Sequence, residues 1–198
     1  PDSSYKSFSD FIKEYSTSFP EVDIGRNDHA TIYYTSGSTG KPKGVLSSQK
    51  AIISTVFSWA CFSSIMKEVD AQKNPITSSL LEEASAILLC VPLFHVTGSH
   101  AGMFMSILVG QKIVMMKKWD AGIALQLIEQ EKISDITGVP TQTWELLNHP
   151  ERLNYDLSSL KTLGAGGAPR PAEHVRQLDS EFEARPGIGY GLSETNAL

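Results

Sequence analysis

The sequence predicts an α/β fold in which a mostly parallel sheet carries helices on both faces. From about residue 86 onward, short apolar runs rich in β-branched residues alternate with stretches whose apolar residues recur at helical spacing. The connections between these runs are short, and such an alternation is typical of parallel sheets. With 198 residues, of which 41% are hydrophobic, the chain is long enough to form the core of one ordinary domain.

The first 28 residues differ in character from the rest. Residues 1–28 are mostly polar and are interpreted as a lead-in segment. Within it, Phe8, Phe11 and Ile12 have the spacing of one helical face, and Ser7 or Ser9 would cap the helix that they predict.

Residues 29–198 are interpreted as part of a larger domain. The apolar run at residues 30–34 predicts a strand that leads into a polar loop. Residues 49–66 are apolar nearly all round and predict a helix buried on several sides. Residues 67–83 are polar and predict a surface loop.

The second half of the chain carries the regular alternation. Strands are predicted at residues 86–93, 112–116, 135–139, 160–163 and 185–190. Helices are predicted within residues 95–109, after an N-cap at Asp120, from Thr141 or Thr143, and with Pro171 in the first turn. Because ligands of open α/β sheets bind beyond the carboxyl ends of strands, we expect the loops after Tyr34, Leu93, Leu163 and Tyr190 to converge on one ligand.

Composition and charge exclude several classes of function. A net charge of −5 and the lack of a basic block argue against a nucleic-acid surface. No apolar run approaches the ~20 residues of a transmembrane segment, and no signal-peptide pattern is present. Cys61 and Cys90 lie in apolar runs and are expected to be buried, reduced thiols, which suggests a cytoplasmic protein. The start at Pro1 suggests a piece of something longer.

A loop of hydroxyl, glycine and lysine residues follows the first predicted strand. Its chemistry-bearing residues are Thr35, Ser36, Gly37, Ser38, Thr39, Gly40, Lys41 and Lys43. Backbone N–H groups, hydroxyls and ammonium groups together suit a phosphate chain. The loop is not a Walker A motif, because its spacing is too short and Pro42 stands where a Ser or Thr is required. A flexible surface linker is the alternative interpretation of such a composition.

A second glycine-dense loop spans residues 164–169. Pro169 stands at the last glycine position of G-x-G-x-x-G, which disfavours a dinucleotide fingerprint. Two interpretations of this loop are equally supported: a tight strand-to-helix turn, or a flat backbone surface against which a purine lies.

Residues 189–194, with the sequence GYGLSE, combine an aromatic ring, a hydroxyl and a carboxylate. Tyr190 between two glycines could stack on a base. Glu194 beside a phosphate site would imply an intervening cation, and Mg²⁺ typically uses one or two carboxylates plus phosphate oxygens. In isolation, a polar surface loop with a solvated glutamate explains this motif better.

One histidine, His95, follows the second predicted strand, at residues 86–93. His95 and His100 are five residues apart, a poor spacing for two ligands on one helical face, and no Cys/His cluster supports zinc. A packed or gating residue is therefore the favoured interpretation of His95. Serine hydrolase chemistry is set aside because neither Ser38 nor Ser193 lies in a G-x-S-x-G elbow.

Four of these segments, in this order, resemble signatures of the adenylate-forming synthetase superfamily, which includes acyl-CoA synthetases, nonribosomal-peptide adenylation domains and beetle luciferases. YTSGSTGKPKG at residues 34–44 is similar to its phosphate-binding signature, and PLFHVTG at 92–98 to the segment that borders the acyl pocket. GGAP at 166–169 resembles its adenine-side loop. YGLSE at 190–194 is similar to Y-G-x-T-E, with Ser193 keeping the hydroxyl of the threonine.

The resemblance implies a reaction in two halves. A carboxylate attacks the α-phosphate of Mg-ATP to give an acyl-adenylate and pyrophosphate, and the thiol of coenzyme A then displaces AMP. The resemblance assigns the β- and γ-phosphates to residues 35–43, the α-phosphate to Ser193, Mg²⁺ to Glu194, and the mouth of the acyl pocket to His95. Catalytic roles are expected for Ser193, Glu194 and Lys43. Adenine and further nucleotide contacts are expected from Gly166, Gly167, Ala168, Pro169, Tyr190 and Gly191.

The branch of the superfamily can also be inferred from the resemblance. Amino-acid-activating members carry an aspartate where this chain has His95, so a fatty or related carboxylic acid is favoured. A carrier protein is an alternative acceptor to coenzyme A. The ribose-binding aspartate, the hinge and the domain bearing the adenylation lysine would lie beyond residue 198, so this piece alone is expected to be inactive. A non-catalytic nucleotide-binding or scaffold module is the competing hypothesis, and a P-loop hydrolase is disfavoured by Pro42.

Overall fold

The computed structural model describes residues 7–13, 15–37, 40–73, 85–182 and 184–197, which form a five-stranded sheet and a separate two-stranded hairpin. The hairpin pairs β1 (His29–Thr35) with β2 (Lys43–Ser48) in antiparallel fashion. The larger sheet contains β3 (Ala86–Leu89), β4 (Lys112–Met115), β5 (Asp135–Gly138), β6 (Thr162–Gly166) and β7 (Arg185–Gly189). Its strands are parallel and lie in the order β4-β3-β5-β6-β7.

The helices occupy the positions that the alternation predicts. They are α1 (Phe8–Ile12), α2 (Gln49–Lys73), a π-helix (Thr97–Phe104) that continues into α3 (Met105–Val109), α4 (Ala121–Glu131), α5 (Pro140–Leu147) and α6 (Ala172–Glu181). Short 3₁₀ turns lie at Arg152–Asn154 and Ser193–Thr195. The predicted cap of α4 is confirmed, since the Asp120 side chain accepts a hydrogen bond from the Ile123 N–H at 2.9 Å. Ser7 caps α1 in the same way.

The sheet is covered on both faces, as predicted. Successive side chains of a strand point to opposite faces, and Leu88 of β3 is fully buried in one cluster with Leu125 and Ile128 of α4. Leu89 points the other way, where its side chain lies against Gly102 of the π-helix. The α/β class with a parallel sheet is therefore confirmed.

Three expectations about the region of α2 are wrong. α2 extends to Lys73, so the predicted surface loop at 67–83 begins later, and residues 74–84 lie outside the described residues. The outward side of α2 is also open: Phe57 is 58% exposed and Ile65 55% exposed, although all-round apolarity predicted burial on several sides. Cys61 shares this open side and is exposed, whereas Cys90 at the end of β3 is half-buried.

Two strand boundaries in the sheet also differ from the prediction. β3 ends at Leu89 rather than at residue 93, because residues 92–95 form a turn in which the His95 N–H donates to the Pro92 carbonyl at 3.1 Å. β6 continues into the glycine-dense run as far as Gly166, which pairs with Gly189 of β7. Among the described helices, none has the length and apolarity needed to cross a bilayer.

Candidate active site

The hydroxyl- and lysine-rich loop connects the two strands of the hairpin. Thr35 at the end of β1 pairs with Lys43 at the start of β2, so the loop leaves and returns at one place. Gly37 has a φ of 65°, and a Cβ there would lie 2.3 Å from the Lys41 carbonyl oxygen. The Gly40 N–H donates to the Gly37 carbonyl at 3.3 Å. The described ends of the loop are therefore held close together, and position 37 requires glycine.

The segment that carries Ser193 and Glu194 is a closed turn. Leu192 organises it, because its carbonyl accepts from the Thr195 N–H at 3.2 Å and from the Ala197 N–H at 3.0 Å. The Thr195 hydroxyl accepts from the Leu192 N–H at 3.0 Å. This network holds the backbone while the Glu194 side chain stays exposed, and Glu194 forms no ion pair with any residue that the structure describes.

The hairpin loop and the turn of Ser193 and Glu194 face each other across one open pocket of ≈ 550 Å³. The lining residues are Thr35, Ser36, Gly37, Lys43, Gly191, Leu192, Ser193 and Glu194. About 150 residues of sequence separate the two groups, so only the fold brings them together. The pocket presents hydroxyls, an ammonium group and a carboxylate to the same volume. That combination suits a polyanion accompanied by a cation.

The remaining residues of the predicted phosphate loop are placed differently. Gly40 and Lys41 are exposed and do not line this pocket. Ser38 and Thr39 lie outside the described residues. Leu192, in contrast, lines the pocket although the sequence offered no signal for it, since its contribution comes from the backbone turn rather than from its residue type.

The predicted adenine-side residues lie at the carboxyl ends of β6 and β7. Gly166 and Gly189 are paired neighbours, so the exposed residues 167–169 and Tyr190 leave the sheet side by side. Tyr190 is 84% exposed, which leaves its ring face free to meet a planar group. Neither Tyr190 nor residues 166–169 line the 550 Å³ pocket, although Gly191, which follows Tyr190, does.

A buried arginine follows the adenine-side loop and was not predicted from sequence. The Arg170 guanidinium donates to the Leu163 carbonyl and to the Thr143 hydroxyl, each at 3.4 Å. Burial lowers the pKa of Arg170. These contacts tie the end of the loop after β6 back to β6 and to α5, which restricts where the exposed residues 167–169 lie.

His95 lies in the turn after β3, outside the 550 Å³ pocket. Its ring is exposed and lies 4.7 Å from the Phe94 ring, and its carbonyl accepts from the N–H groups of Gly98 and Ser99 at 3.0 Å each. Ser99 also accepts a 2.7 Å hydrogen bond from the Tyr33 hydroxyl. The turn of His95 is thus linked through the π-helix to β1 of the hairpin.

His100 of the π-helix is a buried group for which the sequence disfavoured a metal-ligand role and indicated no other. It is 0% exposed, and its ring lies between Tyr33 at 5.5 Å and Phe104 at 5.3 Å. Neither ring nitrogen has a hydrogen-bond partner in the described part of the chain. Burial lowers the pKa of His100. It is therefore a packed, neutral residue. The π-helical geometry, which often marks functional regions, could not be read from the spacing of apolar residues.

Among its described lining residues, the pocket offers one carboxylate to a metal ion, that of Glu194. No group of three or more His, Cys, Asp or Glu side chains forms a cluster anywhere in the ranges that the structure describes. A single carboxylate opposite a lysine and several hydroxyls is nevertheless what a magnesium ion needs when phosphate oxygens supply its other ligands. Glu194 therefore fits a magnesium–phosphate site and does not fit a metal held by protein alone.

Comparisons with known proteins agree with this geometry. The sequence is 32% identical over 200 residues to 4-coumarate–CoA ligase CCL1 of Humulus lupulus, covering 100% of this chain and 34% of that protein. It is 33% identical over 179 residues to a long-chain-fatty-acid–CoA ligase of Bacillus subtilis, covering 90% of this chain and 29% of that protein. The chain thus spans about a third of the length of these curated relatives.

A solved structure shares the fold. It is o-succinylbenzoate coenzyme A synthetase (MenE) of Bacillus subtilis in complex with ATP and magnesium ion, with a TM-score of 0.70 and 26% identity over 94% of this chain and 35% of that chain. The family described as AMP-binding enzyme matches residues 2–198. Because this match covers nearly the whole chain, the resemblance inferred from four motifs is confirmed, and the chain belongs to the AMP-binding enzyme family.

Proposed function

We propose that this chain is part of an enzyme that activates a carboxylic acid with Mg-ATP and transfers the acyl group to the thiol of coenzyme A. The observation that carries the proposal is the single pocket in which Lys43 and the hairpin loop face Ser193 and Glu194. Relatives named as CoA ligases and a fold neighbour solved with ATP and magnesium support it.

Each side of the pocket has a distinct task in this proposal. The hairpin loop holds the β- and γ-phosphates through its hydroxyls and backbone N–H groups, while the Lys43 ammonium offsets their charge. Ser193 donates a hydrogen bond to the α-phosphate, which orients the phosphorus toward the attacking carboxylate. Glu194 would hold Mg²⁺, which neutralises charge on the departing pyrophosphate when it is bound.

The adenine is proposed to lie at the ends of β6 and β7. The exposed ring of Tyr190 would stack on one face of the base, and the backbone of residues 166–169 would border it. Arg170 stabilises this loop through its hydrogen bonds to the Leu163 carbonyl and the Thr143 hydroxyl.

For the acid we propose a fatty or related apolar carboxylic acid, with His95 at the mouth of its site. An apolar cleft of ≈ 260 Å³ supports this assignment. It is lined by Ile52, Ile53, Val56 and Phe57 of α2 and by Phe104, Ile107 and Leu108 of the π-helix and α3. The cleft therefore borders the same helical segment that begins at Thr97, two residues after His95.

We further propose that residues 29–198 form part of the nucleotide-binding domain and that residues 1–28 are a lead-in. The 198 residues alone are proposed to be inactive, since the chain spans only about a third of its relatives. We propose coenzyme A rather than a carrier protein as the acceptor because those relatives are named as CoA ligases.

The test is pyrophosphate exchange and thioester formation by the full-length protein with a panel of carboxylic acids. We expect exchange with ATP and an apolar acid, none with GTP, and a thioester with coenzyme A. Binding of Mg-ATP without exchange would indicate a non-catalytic nucleotide-binding module instead. Preference for 4-coumarate over fatty acids would correct the substrate, and transfer only to a carrier protein would correct the acceptor. Exchange by the 198-residue piece would refute its proposed inactivity.

A further inference from the structure

We propose that the hydrogen bond between Ser47 and Asn196 is the positioning contact that sets the Glu194 turn against the phosphate-binding hairpin. This inference rests on the proposed function, because it concerns how the two halves of that pocket are held in register. Ser47 donates to the Asn196 side-chain oxygen at 2.7 Å. The two residues are 4% and 5% exposed and lie 149 positions apart in sequence.

The position of Ser47 is coupled to that of Lys43 through strand β2. Both belong to β2, and alternate residues of a strand share a face, so Lys43, Val45 and Ser47 follow one another along the same side. Lys43 lines the pocket while Ser47 is buried against the turn that carries Glu194. A shift of β2 at Ser47 therefore moves Lys43 with it.

The position of Asn196 is coupled to that of Glu194 through the turn that contains both residues. It follows Glu194 by two residues, and its N–H donates to the Ser193 carbonyl at 3.2 Å, which closes the turn around Glu194. Its backbone has a φ of 56°, in the left-handed region that asparagine tolerates better than most residues. The side chain can therefore point at β2 while the backbone completes the turn.

The pair matters because it joins two elements that no strand pairing connects among the described residues. The hairpin and the five-stranded sheet are separate sheets among the described strands, and the Glu194 turn follows the edge strand β7. A buried hydrogen bond is expensive to leave unmade, so the pair selects one separation of Lys43 and Glu194. In the proposed function, Lys43 would offset phosphate charge and Glu194 would hold Mg²⁺, so a fixed placement of the two residues would favour Mg-ATP binding.

The experiment uses the full-length protein with Ser47→Ala, Asn196→Gly and the double variant. Glycine at 196 removes the amide without straining the left-handed backbone. We expect each single variant to raise the Kd of Mg-ATP by about tenfold, the change that corresponds to ~1.4 kcal/mol. The double variant should be no worse than either single variant, because one shared contact is lost. The KM of the carboxylic acid should stay within about twofold.

Ser106→Ala is the matched control. Ser106 is 1% exposed, and its hydroxyl donates to the Gly102 carbonyl at 2.8 Å. Ser106→Ala therefore removes a buried, hydrogen-bonded hydroxyl, as Ser47→Ala does. Ser106 also contacts Gln111, which precedes β4, and thus lies toward the opposite edge of the sheet from the pocket. We expect Ser106→Ala to lower thermal stability without changing the Kd of Mg-ATP.

Outcomes separate this inference from the function on which it rests. Unchanged Mg-ATP affinity in both single variants of an active enzyme overturns the positioning role alone. Equal losses in Ser106→Ala and Ser47→Ala also overturn it, because they would reflect general destabilisation. Failure of the wild-type full-length protein to bind Mg-ATP overturns both proposals.

Discussion

Replacing Gly37 by alanine should weaken nucleotide binding far more than the same change at Gly40. Both glycines lie in the hairpin loop and have left-handed backbones, with φ of 65° and 77°. A Cβ at Gly40 meets no atom of the described residues within 4 Å, whereas one at Gly37 lies 2.3 Å from the Lys41 carbonyl oxygen. Both variants thus place an alanine in a left-handed backbone conformation, and Gly37→Ala adds a steric clash with the Lys41 carbonyl oxygen.

The magnitudes follow from this difference. A left-handed alanine costs ~1 kcal/mol, so Gly40→Ala should weaken Mg-ATP binding by about fivefold at most. In Gly37→Ala, the Lys41 carbonyl must also retreat by about 0.7 Å, from 2.3 Å to an acceptable 3.0 Å. The loop will relax into another conformation, and nucleotide binding must restore the first. We expect ~3 kcal/mol in total, or roughly 100-fold weaker binding.

The assay is titration calorimetry of Mg-ATP into the full-length protein, with melting temperatures to show that both variants fold. Because the loop is exposed, melting temperatures should change little. Equal affinities of the two alanine variants would refute the role assigned to the Gly37–Lys41 approach. Wild-type affinity in Gly37→Ala would refute the assignment of the hairpin loop to phosphate binding.

Four further outcomes are expected. Glu194→Gln should lower kcat/KM for pyrophosphate exchange at least 100-fold and remove its dependence on magnesium concentration, because no other carboxylate lines the pocket among the described residues. Tyr33→Phe should lower stability by ~1 kcal/mol in denaturant titrations, since the 2.7 Å bond to the π-helix is lost. Leu125→Ala should cost ~2–5 kcal/mol by the same measurement, whereas Leu153→Ala, at a site 86% exposed, should cost under ~0.5 kcal/mol. Burial lowers the pKa of His100, so below pH 6.5 the unfolded chain binds more protons at this residue than the folded chain does. The melting temperature should therefore fall as the pH falls from 6.5, and the decrease should be less steep in His100→Phe.

The parallel part of the fold was predictable because its signals are local. β3 (AILL) and most of β4 (KIVM) are short apolar runs, while β5, β6 and β7 each place one or two apolar residues among glycine and turn residues. Asp120 was predicted as a helix cap from the sequence and is observed as one. A general rule of parallel sheets predicted that ligand-binding loops lie at the carboxyl ends of the strands. The expected meeting of four loops stays a prediction, because only the loops after Tyr34 and Tyr190 line the 550 Å³ pocket and β1 belongs to the antiparallel hairpin. The rule correctly placed Tyr190 beside residues 166–169, since β6 and β7 are neighbours.

The hairpin was less predictable, because β2 has no strong signal of its own. Its sequence KGVLSS contains two large apolar residues, and its strand conformation depends on pairing with β1. The meeting of Lys43 with Glu194 and the Ser47–Asn196 bond depend on contacts across about 150 residues. A single sequence holds no information of that kind unless a resemblance supplies it, as the four motifs did here for the pocket but not for the buried pair.

The wrong prediction of burial for α2 shows that an apolar pattern does not tell whether a helix face packs against the protein or borders an open cavity. Ile52 and Val56 are buried, yet Ile53 and Phe57, one position further round, are more than half exposed and line the 260 Å³ cleft with α3. An all-round apolar helix can thus pack on one side and border an apolar cavity on the other. If that cavity receives the acyl chain, then Phe57→Ala should change chain-length preference while leaving the Kd of Mg-ATP unaltered, because Phe57 lies outside the phosphate pocket. Equal effects on all acids would instead assign the outward side of α2 to packing.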